Sequence, residues 1–251
     1  MIEDLTVFQW GLLICTPLFA YTIKGVTGFG PALLIMPAFS VVFSPYLALG
    51  YSAVMDGLVG AYMMYASSIS RSDIEKSGHI LFYAVLGAGL GGIILTSISQ
   101  NTVLVVVALL TLIFGFYYLF ENSLKSKKII LKLPLPVGSV IGGIAGVVSG
   151  ISGPPIIVAL TGHADKTSFR NILVTVFLCM SILKIGIYIY TGVFSAQILP
   201  LVLLTFPSVA AGLWCGYKIH GRVSEVAFFK CVMLILILAA LISIIKATGM
   251  I

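Results

Sequence analysis

The chain has 251 residues, of which 60% are hydrophobic and only 9% are charged, and its mean hydropathy is +1.17. Long apolar runs with so little charge exclude an ordinary soluble domain, and the lack of strand-like alternation argues against an outer-membrane barrel. The formal net charge of +6 comes from basic residues in the loops between apolar segments, which is typical of cytoplasmic loops and argues against nucleic acid as a partner.

The apolar segments predict an all-α polytopic membrane protein. Most of them approach the ~20 residues that a spanning helix needs, and two are short. Glu3 and Asp4 carry the wrong charge for a cleaved signal peptide, so the first segment is expected to remain in the fold. In chain order the segments cover 5–23, 31–44, 46–66, 79–98, 102–121, 135–149, 154–162, 172–193, 196–217 and 226–248.

A glycine-rich break precedes each of the two short segments, as TGFGPALLI at 27–35 and as VVSGISGPPII at 147–157. Proline is favoured at the first helical position, so each Gly-Pro predicts the start of a new helix inside the membrane. The free N–H groups and the positive dipole end at such a start suit an anion. The alternative is that these glycines permit tight helix packing or mark ordinary loops.

The connectors divide into basic ones and uncharged ones, which predicts the topology. The basic connectors at 67–78, 122–132, 162–170 and 217–225 are expected in the cytoplasm, and the uncharged ones near 99–102 and 193–196 outside. The chain between 135 and 162 must then enter and leave the membrane on one side, as a re-entrant hairpin. Two extra membrane crossings in place of each hairpin would leave every connector on the same side of the membrane. Both termini are predicted outside.

The two halves therefore have opposite orientations, which predicts an inverted repeat. Residues 1–121 form the N-terminal repeat, with a hairpin at 5–44 and helices at 46–66, 79–98 and 102–121. A basic cytoplasmic linker follows at 122–134. Residues 135–251 form the C-terminal repeat, with a hairpin at 135–162 and helices at 172–193, 196–217 and 226–248. The match of KGVTGFGPALLIMP (24–37) to VVSGISGPPIIVAL (147–160), with Gly30 over Gly153 and Pro31 over Pro154, supports the repeat.

Charged and amide side chains inside or beside apolar segments are functional candidates, because burying them is costly. Lys24 precedes the first break, Lys184 and Asp56 lie inside apolar segments, and Arg170 and Asn171 open a predicted helix. Each cation has a plainer alternative: Lys24 caps the first leg, Lys184 snorkels or pairs with Asp56, and Arg170 anchors the chain at the cytoplasmic face.

Hydroxyl groups at the breaks could bind oxyanion oxygens or could hydrogen-bond back to their own helix. The predicted substrate-binding set combines these hydroxyls with the break residues and the cations. It comprises Lys24, Thr27, Gly28, Phe29, Gly30, Pro31, Ser149, Gly150, Ser152, Gly153, Pro154, Arg170, Asn171 and Lys184. Asp56 is the candidate for proton coupling.

An enzyme is the remote alternative, because residues 150–153 form the GxSG of rhomboid-type intramembrane proteases. That chemistry needs a base beside the serine, and His79, His163 and His220 all fall at loops or segment ends. No enzyme activity is expected. The four cysteines form neither a CxxC nor a cluster with histidine, so no metal or other cofactor is predicted.

The two break motifs, GVTGFGPALLIMP and GVVSGISGPPIIV, together with ADKTS at 164–168, resemble the TauE/SafE sulfite exporter family of small bacterial membrane permeases. Phe29 and Ser152 interrupt the glycine run usual in that family, and Leu160 replaces its second proline. The resemblance implies secondary transport of sulfite, sulfonate or a related small oxyanion across the bacterial inner membrane, often outward and with proton coupling. A passive anion channel is the closer alternative. The expected partners are a small anion and membrane lipid, and a homodimer is an open alternative.

Overall fold

The structure is a computed structural model that describes residues 6–121, 133–161 and 163–219. These residues form helices and short connections without a strand, which confirms the predicted all-α fold. The helices are α1 Val7–Thr27, α2 Pro31–Val42, α3 Pro45–Ala66, α4 Arg71–Ser97, α5 Gln100–Glu121, α6 Leu135–Ser149, α7 Gly153–Leu160, α8 Lys166–Tyr190 and α9 Ile198–Ile219. The predicted helix at 226–248, both termini and most of the linker at 122–134 lie outside the described residues.

Four of these helices are long and apolar enough to cross a membrane: α3, α4, α8 over Thr167–Tyr190, and α9. Shorter apolar helices accompany them at Pro31–Val42, Gln100–Phe114 and Leu135–Ser149. Large apolar side chains cover the outer surface, with Phe82, Ile93 and Leu203 all more than half exposed. Since lipid solvates such side chains, the chain is a multi-pass membrane protein.

Two helices begin earlier than their apolar runs predict, because polar residues cap them. Helix α4 starts at Arg71 rather than at residue 79: Ser70 accepts from the Asp73 N–H and Asp73 accepts from the Ser70 N–H, at 3.1 Å each. Helix α8 starts at Lys166 rather than at 172, because the Asp165 carboxylate accepts from two N–H groups in its first turn. The apolar run marks the membrane part of a helix, and the cap marks its beginning.

Glycine allows two helix pairs to approach closely. Gly212 and Gly216, four residues apart on α9, lie against backbone atoms of Leu18 and Gly25 on α1. In the same way Gly87 on α4 lies against the Val140 carbonyl of α6. Small residues at such spacing are typical of membrane helix interfaces. Helices α1 and α6 precede the two breaks. The α1–α9 and α4–α6 pairs therefore hold these two helices against the rest of the bundle.

Helices α3 and α8 cross at the centre, beside the breaks. Gly57 and Gly60 of α3 face Ser181 and Leu178 of α8. The buried Tyr188 of α8 donates a hydrogen bond of 2.9 Å to the Val147 carbonyl near the end of α6. These contacts position α8, which carries Lys184, next to the second break.

Candidate functional site

The first break lies between α1 and α2, and glycine permits its backbone path. Gly28 and Gly30 have φ values of 87° and 97°, in the left-handed region that favours glycine. The Thr27 hydroxyl lies 2.9 Å from the Ile23 carbonyl oxygen and accepts a hydrogen bond of 3.2 Å from the Phe29 N–H. Pro31 then opens α2. The N-terminal end of α2, with its positive dipole end, therefore lies inside the protein.

The second break repeats this local structure between α6 and α7. Gly150 has a φ of 78°. The Ser149 hydroxyl donates to the Ala145 carbonyl at 2.6 Å and accepts from the Ile151 N–H at 3.3 Å. The hydroxyl groups of Thr27 and Ser149 thus make equivalent hydrogen bonds. Each bonds the carbonyl oxygen of the residue four positions earlier in the chain and the N–H of the residue two positions later. Back-bonding, which the sequence left as one of two alternatives for these hydroxyls, is the arrangement observed.

The two breaks differ in length by one residue. Matching Thr27 with Ser149 and Gly28 with Gly150 would place Pro31 opposite Gly153. The second proline comes one residue later, at Pro154, and α7 includes Gly153 at its start. The sequence match of Gly30 with Gly153 therefore applies only to the helices that follow the breaks, α2 and α7.

Both breaks line one cavity of about 30 Å³. Residues from the two breaks, the starts of α2 and α7, and side chains of α1, α3 and α8 surround it. The lining residues are Lys24, Phe29, Gly30, Pro31, Ala32, Leu33, Asp56, Gly150, Ile151, Ser152, Gly153, Pro154, Phe177 and Lys184. Ten of the predicted site residues, Asp56 among them, are in this set, although they are scattered over the sequence from 24 to 184.

A buried ion pair forms one wall of the cavity. The Lys24 ammonium lies 2.7 Å from the Asp56 carboxylate, and the two side chains are only 4% and 11% exposed. The Tyr21 hydroxyl donates to the same carboxylate oxygen over 3.4 Å. Asp56 therefore pairs with Lys24 rather than with Lys184, which was the alternative that the sequence left open.

Lys184 supplies a further buried cation. Its side chain is almost wholly shielded from solvent and lines the cavity. Within the described part of the chain, no hydrogen bond or ion pair reaches its ammonium group. An ammonium group buried without an acceptor is costly. With Lys24, Asp56 and Lys184 ionised, the cavity wall carries a net charge of one positive unit, next to two helix N-termini that also favour negative charge.

Arg170 and Asn171 lie outside the cavity. The Asn171 amide donates to the Asp73 carboxylate and to the Ser68 carbonyl, at 3.0 Å each, and so joins α8 to the start of α4. Arg170 packs against Gly28, where an added Cβ would lie 3.1 Å from its Cγ. The predicted members Thr27, Gly28 and Ser149 shape the breaks without lining the cavity.

The predicted site omitted Tyr21, which contacts Asp56, and four residues that line the cavity: Ala32, Leu33, Ile151 and Phe177. Phe177 lines the cavity, but an apolar side chain in an apolar segment carries no signal. Tyr21 did carry a signal in the sequence, because it lies three residues before Lys24 and therefore on the same face of a helix. A buried tyrosine needs a partner for its hydroxyl, and the neighbouring charge pair provides it.

The comparison with protein families gives one match, to the family described as sulfite exporter TauE/SafE, over residues 13–243. Comparisons with curated proteins and with solved structures gave no match. The matched range includes both breaks and every residue that lines the cavity. Members of this family are membrane transporters rather than enzymes. The chain therefore belongs to the TauE/SafE sulfite exporter family.

Proposed function

We propose that this protein is a secondary transporter of a small oxyanion, of the sulfite or sulfonate class, in the bacterial inner membrane. The anion binds in the cavity between the two breaks. The observation that carries this proposal is Lys184, a buried cation at the cavity that no described side chain neutralises. The groups proposed to contact the anion are the Lys184 ammonium, the Ala32 N–H in the first turn of α2 and the Gly153 N–H at the start of α7. The prolines in these first turns have no N–H to offer.

The size of the cavity supports a small substrate. A single water needs roughly 10–15 Å³ of such space, and the cavity offers about 30 Å³. Space of this order suits an ion of a few heavy atoms. Lys184 would balance one negative charge of the anion. A second negative charge would be stabilised by Lys24 and the N-terminal ends of α2 and α7.

Asp56 is the proposed site of proton coupling. While it is ionised, it neutralises Lys24 over 2.7 Å. Protonation of Asp56 would release Lys24 toward the anion and raise the net charge at the cavity by one unit. An anion and a proton would then bind together. This cooperation is what a coupled carrier requires and what a passive channel lacks.

An inverted repeat would give the two breaks access to opposite sides of the membrane. Three observations support it: the equivalent hydroxyl bonds at Thr27 and Ser149, the two left-handed glycines after them, and the matching α1–α9 and α4–α6 pairs. Residues 1–121 and 135–251 would then rock about the cavity to give alternating access. Both termini are proposed to lie outside.

Transport by proteoliposomes tests the function. Vesicles that contain the purified protein are loaded with sulfite, and its efflux is followed with and without an imposed pH gradient. We expect wild type to move sulfite against its own concentration gradient when protons flow down theirs in the same direction. Movement of sulfite only down its gradient, at any proton gradient, would favour the channel. No movement of sulfite, sulfoacetate or simple carboxylates would contradict transport of this anion class.

A further inference from the structure

We propose a second oxyanion subsite at Arg170 and Tyr217, outside the cavity. The two residues belong to α8 and α9, and neither lines the cavity. The Arg170 guanidinium carbon lies 5.4 Å from the centre of the Tyr217 ring. The proposal rests on the proposed function for the class of ligand and adds a second place where that ligand binds.

The guanidinium group has unused donors in a shielded position. Arg170 Nε and Nη2 are both buried, and among the described residues neither makes a hydrogen bond of ordinary length and angle. The Tyr217 hydroxyl is also buried and lies close to the guanidinium group, but no hydrogen bond of ordinary geometry joins the two side chains. Burying a charged donor without an acceptor is costly, so each such group in a folded protein calls for an explanation. Three unused groups at one place point to a missing partner rather than to three separate defects.

The geometry of the unused donors identifies the class of that partner. Nε and Nη2 lie on the same edge of the guanidinium plane, so their N–H bonds run parallel. This edge binds two oxygens of one carboxylate, sulfonate or phosphate group at once. The Tyr217 O–H can donate to the same group. A cation would be repelled, and a neutral solute would leave the charge unbalanced.

The described carboxylates near the start of α8 form no ion pair with Arg170. Asp73 accepts from Asn171 and from the Ser70 N–H through Oδ2, and its buried Oδ1 makes no hydrogen bond. Asp165 accepts from the N–H groups of Thr167 and Ser168. Among described residues, the ion pairs are Lys24 with Asp56 and Arg71 with Glu75. None of them reaches Arg170.

The position of the subsite suggests its role. The Arg170 stem packs against Gly28, the left-handed glycine that ends α1, so the subsite adjoins the first break. It also lies at the N-terminal end of α8, the end proposed to face the cytoplasm. An anion would bind there before it passes to Lys184.

Calorimetric titration of the purified full-length protein with sulfite tests the subsite. Four variants are compared with wild type: Lys184→Gln, Arg170→Lys, their combination, and Lys218→Gln. Arg170→Lys keeps the charge and the stem but removes the paired donors. Lys218 lies one residue beyond Tyr217, with its ammonium 3.8 Å from the Trp214 ring centre, so its removal controls for loss of a nearby charge. Melting temperatures without sulfite check that each variant folds.

We expect Lys184→Gln to abolish the tighter binding and to leave a weaker event. Adding Arg170→Lys should weaken that event by about tenfold or more, since charged bidentate hydrogen bonds are lost. Lys218→Gln should bind as wild type does. In proteoliposomes, Arg170→Lys alone should raise the sulfite concentration for half-maximal efflux and leave the maximal rate nearly unchanged.

The two proposals fail in different ways. If Lys184→Gln binds no sulfite, or if adding Arg170→Lys to it changes nothing, the subsite is wrong. If Lys184→Gln binds sulfite as wild type does, the cavity is not the anion site, whatever Arg170 does. Weakening of binding by Lys218→Gln as much as by Arg170→Lys would mean that the effect is not specific to the paired donors of Arg170, and this would also overturn the subsite.

Discussion

At the scale of single residues, the ion pair of Lys24 and Asp56 has a structural role and a proposed role in proton coupling. Both side chains are almost fully buried, so each depends on the other for neutrality. Removing one partner of a buried pair typically costs 3–5 kcal/mol, whereas removing both can be nearly neutral. The pair can therefore be tested by stability as well as by transport.

We expect Lys24→Met to lower the melting temperature sharply, because Asp56 is left buried without its cation. The double variant Lys24→Met with Asp56→Leu should recover most of the loss. Thermal unfolding in detergent measures both. A double variant as unstable as the single one would show that the two side chains do not stabilise each other.

Asp56→Asn tests the coupling role separately. The amide resembles a protonated carboxyl in shape and charge, so Lys24 becomes available to the anion at every pH. We expect sulfite efflux to persist while its dependence on the proton gradient disappears. The control is Glu75→Gln, which removes an exposed carboxylate that pairs only with Arg71. Unchanged proton dependence in Asp56→Asn would assign coupling to another group.

At the scale of elements, the breaks and the helix pairs use glycine for different reasons. Gly28, Gly30 and Gly150 have positive φ values, so a side chain there strains the backbone. Gly87 and Gly212 are helical, and a side chain there would meet a neighbouring carbonyl. The glycines of the breaks therefore permit a left-handed backbone, and other glycines permit close helix packing.

We expect Gly150→Ala to destabilise the second break by at least about 1–2 kcal/mol, the cost of a left-handed L residue. An added Cβ would also lie 2.8 Å from the Met36 side chain. Gly153→Ala is the matched control, because its φ is not positive and its nearest contact would be 3.7 Å away. Thermal unfolding compares the two, and equal stability would contradict the assigned backbone path.

Two glycines of α4 provide a matched pair of variants that tests the packing of α4 against α6. Gly87→Ala would force a Cβ into the Val140 carbonyl of α6, whereas Gly89→Ala would meet nothing within 4 Å. We expect the first variant to unfold at a clearly lower temperature and the second to be neutral or slightly stabilised, as Ala favours a helix over Gly. A neutral Gly87→Ala would mean that α4 and α6 are farther apart.

At the scale of the whole molecule, the proposed inverted topology assigns each connector to one side of the membrane. Cysteine substitutions at exposed positions in a cysteine-free background test this with a membrane-impermeant thiol reagent. We expect labelling from outside at Gln100 and Gln197, and only after permeabilisation at Glu75 and His163. Labelling of Glu75 and His163 from opposite sides would contradict the proposed inversion.

The sequence predicted ten of the fourteen residues that line the cavity, because their signals are local. Lys24, Asp56 and Lys184 stand out as charges in apolar surroundings, and the Gly-Pro pairs mark helix starts. Which lysine pairs with Asp56 could not be predicted, since that depends on how α1 and α8 are rotated about their axes. Arg170 was grouped with the cavity for the same reason: its position relative to the cavity is set by the packing of α8 against α3 and α4.

Helix boundaries were predicted less well where polar caps extend a helix beyond its apolar run. The reciprocal bonds of Ser70 and Asp73 move the start of α4 to Arg71. Their spacing was visible in the sequence, but hydropathy alone does not register it. The extra residue in the second break has no local signal in the sequence. It is recognised only when the hydrogen bonds of the Thr27 and Ser149 hydroxyl groups are compared.

The central claim is that a small oxyanion binds between the two breaks next to Lys184. The most direct test is sulfite binding to the purified protein, measured as a rise in melting temperature for wild type, Lys184→Gln and Gly153→Leu. A ligand that binds only the native state stabilises it in proportion to its affinity. We predict a clear rise for wild type that is much smaller in both variants, with each variant folded without sulfite. A rise of the same size in all three proteins would contradict the claim.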